Sequence, residues 1–231
     1  MINRKALFAL AAIFCLNAAG IRAGDTASFV DLGFSPDGRT YMFAQYGVLA
    51  NSLKPWADLF IVDVSRNNFV SDGKFSYVHD GPVVSGQDGS GALYRAIARS
   101  GPAAEKYQIN YCFQGQPLYI AMDDAGGAEH VEFRDFQSGA SFRASMVSHA
   151  EGSGAALQSS FYINLERTAR DGSKKNYTVG TPALKRPLVA SYRIRKVMIA
   201  PRDGSMIMVI EMKKQEGGDS TIRYMVEALR L

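Results

Sequence analysis

The chain has 231 residues, of which 47% are hydrophobic, and it carries 26 Lys and Arg against 22 Asp and Glu. Three of these cations, Arg4, Lys5 and Arg22, lie in the first 23 residues, and without that segment 23 cations face 22 anions, a net charge of +1. The composition therefore supports a sizeable core. It excludes the broad basic field that binds nucleic acid or an anionic membrane.

Residues 1–23 have the three parts of a secretory signal peptide. Arg4 and Lys5 form the positive start, residues 6–16 are apolar, and small residues lead up to Ala23. The apolar part is far shorter than the roughly 20 residues that span a bilayer. We therefore predict Sec-type export with cleavage near Ala23. A retained membrane anchor is the alternative.

Cleavage would leave residues 24–231 as a single β-rich secreted domain without a transmembrane segment, located in the periplasm or outside the cell. It would also remove Cys15, so that Cys112 remains as a single cysteine and no intrachain disulfide can form. Cys112 stands between Tyr111 and Phe113. This setting predicts a small buried hydrophobe, with a reactive thiol as the alternative.

A β-hairpin is predicted at the start of the mature chain. In "FVDLGFSPDGRTYMFAQYGV", Pro36, Asp37 and Gly38 have the properties of a tight turn, and strand-forming residues lie on both sides. Further strands are predicted at 57–64 ("ADLFIVDV") and at 74–80 ("KFSYVHD"). The turn signal carries no function by itself.

One main helix is predicted near residues 91–107. Apolar residues in "GSGALYRAIARSGPAAEKYQI" recur with helical spacing, and Pro102 is expected to break or kink the helix. The preceding "GQDGSG", residues 86–91, has the glycines of a phosphate-binding loop. Because it lacks the lysine and the spacing of that motif, we interpret it as a flexible helix entry.

From residue 117 onward, apolar and polar residues alternate with the period of two that is typical of strands. The successive segments are "PLYIAM", "EHVEFRDF", "ASFRASMV", "LQSSFYINLERT", a hairpin through "ARDGSKKNYTVG", and one long strand in "RPLVASYRIRKVMIA".

The end of the chain repeats its beginning. The turn Pro201-Arg202-Asp203-Gly204 matches Pro36-Asp37-Gly38 with one residue added, and apolar strands follow both turns. Two copies cannot close a propeller, which needs at least four blades. The predicted fold is therefore mainly β, a β-rich α+β domain of antiparallel sheets with propeller-blade-like hairpins at both termini, and not a complete propeller.

The two end units each contain strands that are too apolar to face water. We therefore predict that strand 41–46 or 57–64 shares one sheet or one core with strand 206–212 or 221–229. The middle section would then be an insertion between the two halves of a closed module.

Four segments carry a resemblance to a known family: "GDTASFVDLGFSPDGRTYMFAQYGV" with "ADLFIVDV", the helix after "DGPV", "YTVGTPALKRPLVASYRIRKV", and "APRDGSMIMVIE". The chain resembles a bacterial family of predicted secreted proteins, domain of unknown function 2259. The resemblance implies export and a single domain over nearly all of the mature chain. It implies no activity and no catalytic residue.

Candidates for a metal site are His130 and Glu132 on one strand face, with Asp123 and Asp124 in the nearby turn. The sequence lacks HExxH and any other His-rich metal-binding spacing, so a solvated strand face is the favoured interpretation.

Three further carboxylates, Asp37, Asp63 and Asp203, could meet in one site. Turn aspartates usually bond their own backbone instead, and we expect them to do so here.

Cations are concentrated between residues 174 and 196. This segment could bind an acidic partner in the cell envelope. Alternatively, it is a solvent-exposed strand edge whose charge prevents aggregation. The segment includes Lys174 and Lys175, and the proposed patch for an anionic partner is Lys185, Arg186, Arg193, Arg195 and Lys196.

Export and the lack of a recognisable catalytic motif favour a non-enzymatic binding or scaffold module of the cell envelope. We expect a monomer without a cofactor that does not bind nucleic acid, whose partner is an envelope protein or a polyanionic envelope component. The alternative is a hydrolase or metal-dependent enzyme whose residues converge from separate strands, because catalytic sets are defined by geometry and not by sequence order.

Overall fold

Antiparallel strands and one long helix form the part of the chain that this computed structural model describes, residues 25–122, 130–216 and 219–231. The predicted signal peptide and the candidate ligands Asp123 and Asp124 lie outside the described residues. The elements are β1 (Ser28–Phe34), β2 (Thr40–Val48), β3 (Pro55–Asp63), β4 (Asn68–Val78), α1 (Ser90–Lys106), β5 (Gln116–Ile120), β6 (His130–Arg134), β7 (Ser141–Glu151), β8 (Gln158–Thr168), β9 (Lys174–Val179), β10 (Arg186–Pro187), β11 (Val189–Ile199), β12 (Met206–Glu216) and β13 (Asp219–Leu229).

The N-terminal sheet is an antiparallel meander with the strand order β1-β2-β3-β4. Its first hairpin confirms the predicted turn, since the Ser35 amide donates to the Thr40 carbonyl at 2.9 Å. Gly38 takes a φ of +76°, a conformation that favours glycine.

The middle sheet has the order β10-β8-β7-β6, and β9 also pairs with β8. β7 pairs with β8 over its whole length, from Ser141 to Glu151. On its other side, β7 pairs with β6 only between Ser141 and Ser145.

The C-terminal sheet has the order β13-β12-β11-β5. The long strand predicted in "RPLVASYRIRKVMIA" is present as β11, but it begins only at Val189, because Leu188, at a φ of +62°, separates it from β10. The chain leaves the middle sheet at this residue and enters the C-terminal sheet.

The three sheets and the helix stack in four layers. The C-terminal sheet lies between the other two sheets, and α1 covers the outer face of the N-terminal sheet. Met208 of β12 therefore packs toward the middle sheet, while its neighbour Ile207 packs toward the N-terminal sheet. Because both faces of β12 are covered, its sequence is a continuous apolar run rather than an alternation.

The prediction that strands from the two ends of the chain share a sheet or a core is confirmed, and what they share is a core. Tyr41 and Phe43 of the N-terminal sheet share a hydrophobic cluster with Ile207 and Val209 of the C-terminal sheet. The two turns also touch, because a Cβ atom on Gly38 would lie 2.1 Å from the Pro201 carbonyl oxygen. The description of the middle section as an insertion is wrong, since its strand β5 pairs with β11 and its sheet covers the second face of the C-terminal sheet.

Helix α1 runs without interruption from Ser90 to Lys106, so Pro102 does not break it, and the break, one of the two predicted effects of this proline, is wrong. Proline removes one intrahelical hydrogen bond. The helix is retained because a stripe that includes Leu93, Ala96 and Ala104 packs onto the N-terminal sheet. No helix among the described residues is long and apolar enough to cross a membrane. The predicted class, mainly β with one main helix and no complete propeller, is confirmed.

Candidate functional site

A cleft of about 630 Å³ opens where the middle sheet meets the C-terminal sheet. One wall is the stretch of β7 from Met146 to Ser148, which extends beyond the last residue that β6 pairs. The facing wall is the stretch of β11 from Ser191 to Arg193, which precedes the residues that β5 pairs. The described residues of β7 and β11 thus form two facing walls of the cleft.

The polar side chains of the cleft come from three strands in addition to β7. His130 starts β6, Arg193 belongs to β11, and Glu211 and Lys213 belong to β12. Arg193 donates to the Met122 carbonyl at 3.2 Å, and the Nε of Arg195 lies 3.3 Å from a carboxylate oxygen of Glu211. Lys213 is exposed.

The predicted metal candidates do not form a metal site in the described part of the chain. His130 is exposed, and its Nδ1 lies 2.8 Å from the Ser145 hydroxyl. Glu132 instead accepts a hydrogen bond of 2.8 Å from Arg143. Within the described ranges, no group of three or more His, Cys, Asp or Glu side chains could hold a metal ion.

The His130–Ser145 pair has the residue types of a nucleophile and its base. A working pair also needs a third group that orients the imidazole. The described residues supply no such group, because the His130 ring bonds among them to Ser145 alone and the nearest acid on its strand, Glu132, is paired with Arg143. The arrangement is suited to hydrogen bonding a ligand at the rim of the cleft.

Most cations of the predicted patch are paired with carboxylates of this chain. Lys185 contacts Glu151 at the end of β7. Lys196 contacts Asp31 across the boundary between the C-terminal and N-terminal sheets, and Tyr41 donates a hydrogen bond to the same carboxylate. Burial raises the pKa of Tyr41 well above its ordinary value, and the nearby Asp31 charge raises it further, so Tyr41 remains a neutral donor.

Arg186 joins the middle sheet to the far edge of the C-terminal sheet. Its guanidinium stacks 4.8 Å from the centre of the Phe161 ring and lies 3.6 Å from Glu227. Glu227 also accepts a hydrogen bond from Asn67 of the β3–β4 turn. Burial raises the pKa of Glu227, although Asn67 and Arg186 act in the opposite direction. The structure thus uses Arg186 inside the fold, and Arg193 is the patch residue that lines the cleft.

The other predicted candidates have local partners. Asp37 accepts from the Arg39 amide at 3.1 Å, Asp63 accepts from the Arg66 amide at 3.0 Å, and Asp203 accepts from the Ser205 amide at 2.9 Å. These bonds are the turn contacts that we expected for these aspartates. In the "GQDGSG" segment, Asp88 accepts from the Ser90 amide at 3.0 Å at the start of α1.

Cys112 is exposed, so the prediction of a small buried hydrophobe is wrong. It belongs to the turn after Asn110, whose side-chain oxygen accepts the Cys112 amide hydrogen at 2.9 Å. Asn110 and Phe113 are both hydrogen-bonded to the backbone of Phe34 at 2.9 Å, and the turn between them leaves the thiol exposed.

Sequence reasoning missed Ser145, Tyr192, Glu211 and Lys213 as residues of the cleft. They lie on three different strands, which the fold brings to one space. No spacing in the sequence marks this group, because its members are far apart along the chain.

The chain belongs to the family described as "Predicted secreted protein (DUF2259)", whose model matches residues 42–230. The resemblance noted in the sequence is therefore confirmed. The family description states secretion and names no reaction. No curated protein and no solved structure matches the chain.

Proposed function

We propose that this protein is an exported, non-enzymatic binding module of the cell envelope whose partner docks an anionic segment in the cleft between β7 and β11. Export is supported by the secreted family and by the composition of residues 1–23. The observation that carries the proposal is the cleft itself, an open space of about 630 Å³ to which four strands contribute hydrogen-bonding and charged groups.

The charge of the cleft favours an anionic ligand. The exposed cation of the cleft is Lys213, and the acidic group among the lining residues, Glu211, is already paired with Arg195. A ligand that bound the other cations of the predicted patch would first have to separate Lys196 from Asp31 or Arg186 from Glu227. Separating partly buried pairs is costly because each carboxylate would be left without its counter-ion.

Cross-linking in living cells tests the proposal. A photo-reactive amino acid replaces Ser148 in the cleft or, as a control, Glu105 on the exposed side of α1. We expect a discrete adduct from position 148 and none from position 105. The variant Lys213→Glu should reduce the adduct several-fold, whereas the matched change Lys106→Glu on the helix should leave it unchanged. An adduct that is insensitive to Lys213→Glu, or the lack of any adduct, would overturn the proposal.

The same assay distinguishes binding from catalysis. Ser145→Ala removes the hydroxyl beside His130 and leaves the charges of the cleft intact. A binding module keeps its adduct in this variant, because Ser145 supplies at most one hydrogen bond. Loss of a cellular phenotype with retention of the adduct would favour the enzymatic alternative.

Export has its own test. We expect the mature protein in the periplasmic or extracellular fraction, with a first residue between Ile21 and Asp25. N-terminal sequencing that finds Met1 on most of the protein would contradict the signal peptide.

A further inference from the structure

We propose that a second site, a cavity between helix α1 and the end of the N-terminal sheet, binds a small monocarboxylate with an apolar body through Arg95 and His79. The site is separate from the cleft between β7 and β11, so this inference goes beyond the proposed function.

The cavity has a volume of about 600 Å³, which lies within the range of small-molecule sites in proteins. Its walls are the start of β3, the end of β4 with the loop that follows it, and the first turns of α1. The lining residues lie between positions 55 and 95, inside the range 25–122 that the structure describes without a gap. Each wall is therefore formed by described residues.

The loop that closes the cavity, residues 79–89, is fixed to the sheet near both of its ends. The Val83 amide donates to the Leu53 carbonyl at 2.7 Å. At the other end, Gly89 lies so close to β2 that a Cβ atom on it would be 2.3 Å from the Gly47 carbonyl oxygen. The cavity is thus preformed, and a ligand does not have to order its walls, which favours binding.

Arg95 is the cation of the cavity. It is exposed, and no carboxylate or aromatic ring among the described residues pairs with it. Arg99, one turn further along α1, lies instead 4.6 Å from the centre of the Tyr77 ring. A guanidinium presents parallel N–H donors that match the two oxygens of a carboxylate. Arg95 is therefore the group that is available to bind an anion here.

His79 supplies a second donor. Its Nδ1 lies 3.3 Å from the Tyr77 hydroxyl, and its ring makes no other hydrogen bond in the described part of the chain. With Tyr77 as the donor, the hydrogen of the neutral imidazole lies on Nε2. Tyr77 thus orients His79, and Nε2 is left to donate to a ligand oxygen.

Asp88 limits the charge of the ligand and its position. Its carboxylate accepts from the Ser90 amide at 3.0 Å and from the Ser90 hydroxyl at 2.6 Å, and these bonds hold the pKa of Asp88 below its ordinary value. Asp88 therefore places a negative charge at the start of α1. The ligand anion is directed away from the helix start toward Arg95, and a monoanion is favoured over a dianion such as phosphate.

The remaining lining gives the ligand its apolar body. Pro55 and Ala92 are buried, Val83 is half-buried, and all three contribute apolar surface to the cavity. Removing apolar ligand surface from water adds to the affinity in proportion to the buried area. A carboxylate on a ring or a short chain, such as benzoate or hexanoate, therefore fits the cavity better than acetate does.

The experiment is a titration of the full mature protein with benzoate, followed by amide NMR. We expect saturable shifts of backbone amides within residues 79–95. Benzamide has the same ring without the charge, and acetate has the charge without the ring. Both should bind about tenfold or more weakly than benzoate, and so should inorganic phosphate.

Two variants test the roles of the donors. Arg95→Gln should weaken benzoate binding about tenfold or more, because it removes a charge-assisted hydrogen bond at an exposed helix position. Lys106→Gln removes the same charge from the same helix outside the cavity and should leave the affinity unchanged. Tyr77→Phe keeps the ring beside Arg99 and removes the hydroxyl beside His79, so it should weaken binding by a smaller factor.

Three results would overturn the inference: shifts confined to residues outside 79–95, equal affinity for benzoate and benzamide, or wild-type affinity in Arg95→Gln. A loss of benzoate binding in Lys213→Gln would place the anion in the cleft between β7 and β11, which also overturns it. Failure of benzoate together with a cross-link at Ser148 that depends on Lys213 would remove this second site and leave the proposed function standing.

Discussion

The position of the C-terminal sheet between two other sheets predicts that damage on either of its faces destabilises the whole protein. Ile207 and Met208 are neighbours on β12, both are 0% exposed, and their side chains enter different hydrophobic clusters. We expect Ile207→Ala and Met208→Ala each to cost about 2–5 kcal/mol, the usual range for an Ile or Met truncated to Ala in a core. This is a large share of the roughly 5–15 kcal/mol that holds a domain folded.

The assay is urea unfolding followed by the emission of Trp56, the one tryptophan of the chain. Trp56 belongs to β3 in the N-terminal sheet, whereas Met208 packs toward the middle sheet on the far side of the C-terminal sheet. If the layers unfold together, both variants lower the midpoint that Trp56 reports by about 1–2 M urea, given a slope of about 1–3 kcal/mol per molar. Phe136→Ala, at a position 88% exposed, is the control and should shift the midpoint little.

A different result would refute this reasoning. If Met208→Ala left the Trp56 transition at the wild-type midpoint while circular dichroism showed an earlier loss of strand signal, the middle sheet would unfold by itself. The shared sheet would then not couple the layers, and residues 24–231 would not behave as a single domain.

Three further predictions concern the C-terminal strand, acid stability and the thiol. Truncation after Gly218 removes β13, whose Arg223 lies 4.3 Å from the centre of the Trp56 ring. We expect the Trp56 emission of this variant to shift to the red and its N-terminal hairpin to become sensitive to protease. Native Trp56 emission in the truncated protein would contradict this prediction. Burial would raise the pKa of Asp135, but hydrogen bonds led by that of Ser138 outweigh it and hold the pKa below its ordinary value. Because the pKa of Asp135 is lower in the folded protein than in the unfolded chain, this stabilisation is present above about pH 4 and is lost as the pH falls through the folded pKa. The melting temperature of Asp135→Ala should therefore fall less than that of the wild type between pH 5 and pH 3. Cys112 is exposed and should react fully with a thiol reagent in the native state, whereas reaction that required urea would show that it is buried.

Local features of the fold could be predicted from the sequence because their causes are local. The turn at Pro36-Asp37-Gly38 depends on the conformations of three adjacent residues. The alternation from Ser159 to Leu165 predicts which side of β8 faces a core. Phe161, Ile163 and Leu165 indeed lie in the hydrophobic cluster between the middle sheet and the C-terminal sheet. The apolar run of β12 likewise indicates cover on both faces.

Features that depend on distant partners could not be predicted. The alternation continues across Leu188, so the sequence shows one strand where the chain changes sheets. Cys112 is exposed in the turn between Asn110 and Phe113, which its aromatic neighbours in sequence do not indicate. The cleft gathers residues of β6, β7, β11 and β12, and no spacing in the sequence indicates that these four strands share one space.

The cations show most clearly why composition misled the search for a site. A run of Lys and Arg in a nearly neutral protein suggests a surface kept for an anionic partner, yet Lys196, Arg186 and Arg195 each meet a carboxylate from elsewhere in the fold. Two of these pairs connect different sheets, and partly buried pairs add little net stability while opposing misplaced partners. The acids that match the run are distributed along the chain, at Asp31, Glu211 and Glu227, so they go unnoticed in the sequence. Segregated charge in this protein therefore connects stacked sheets, and a run of cations in the sequence does not by itself mark a surface for a partner.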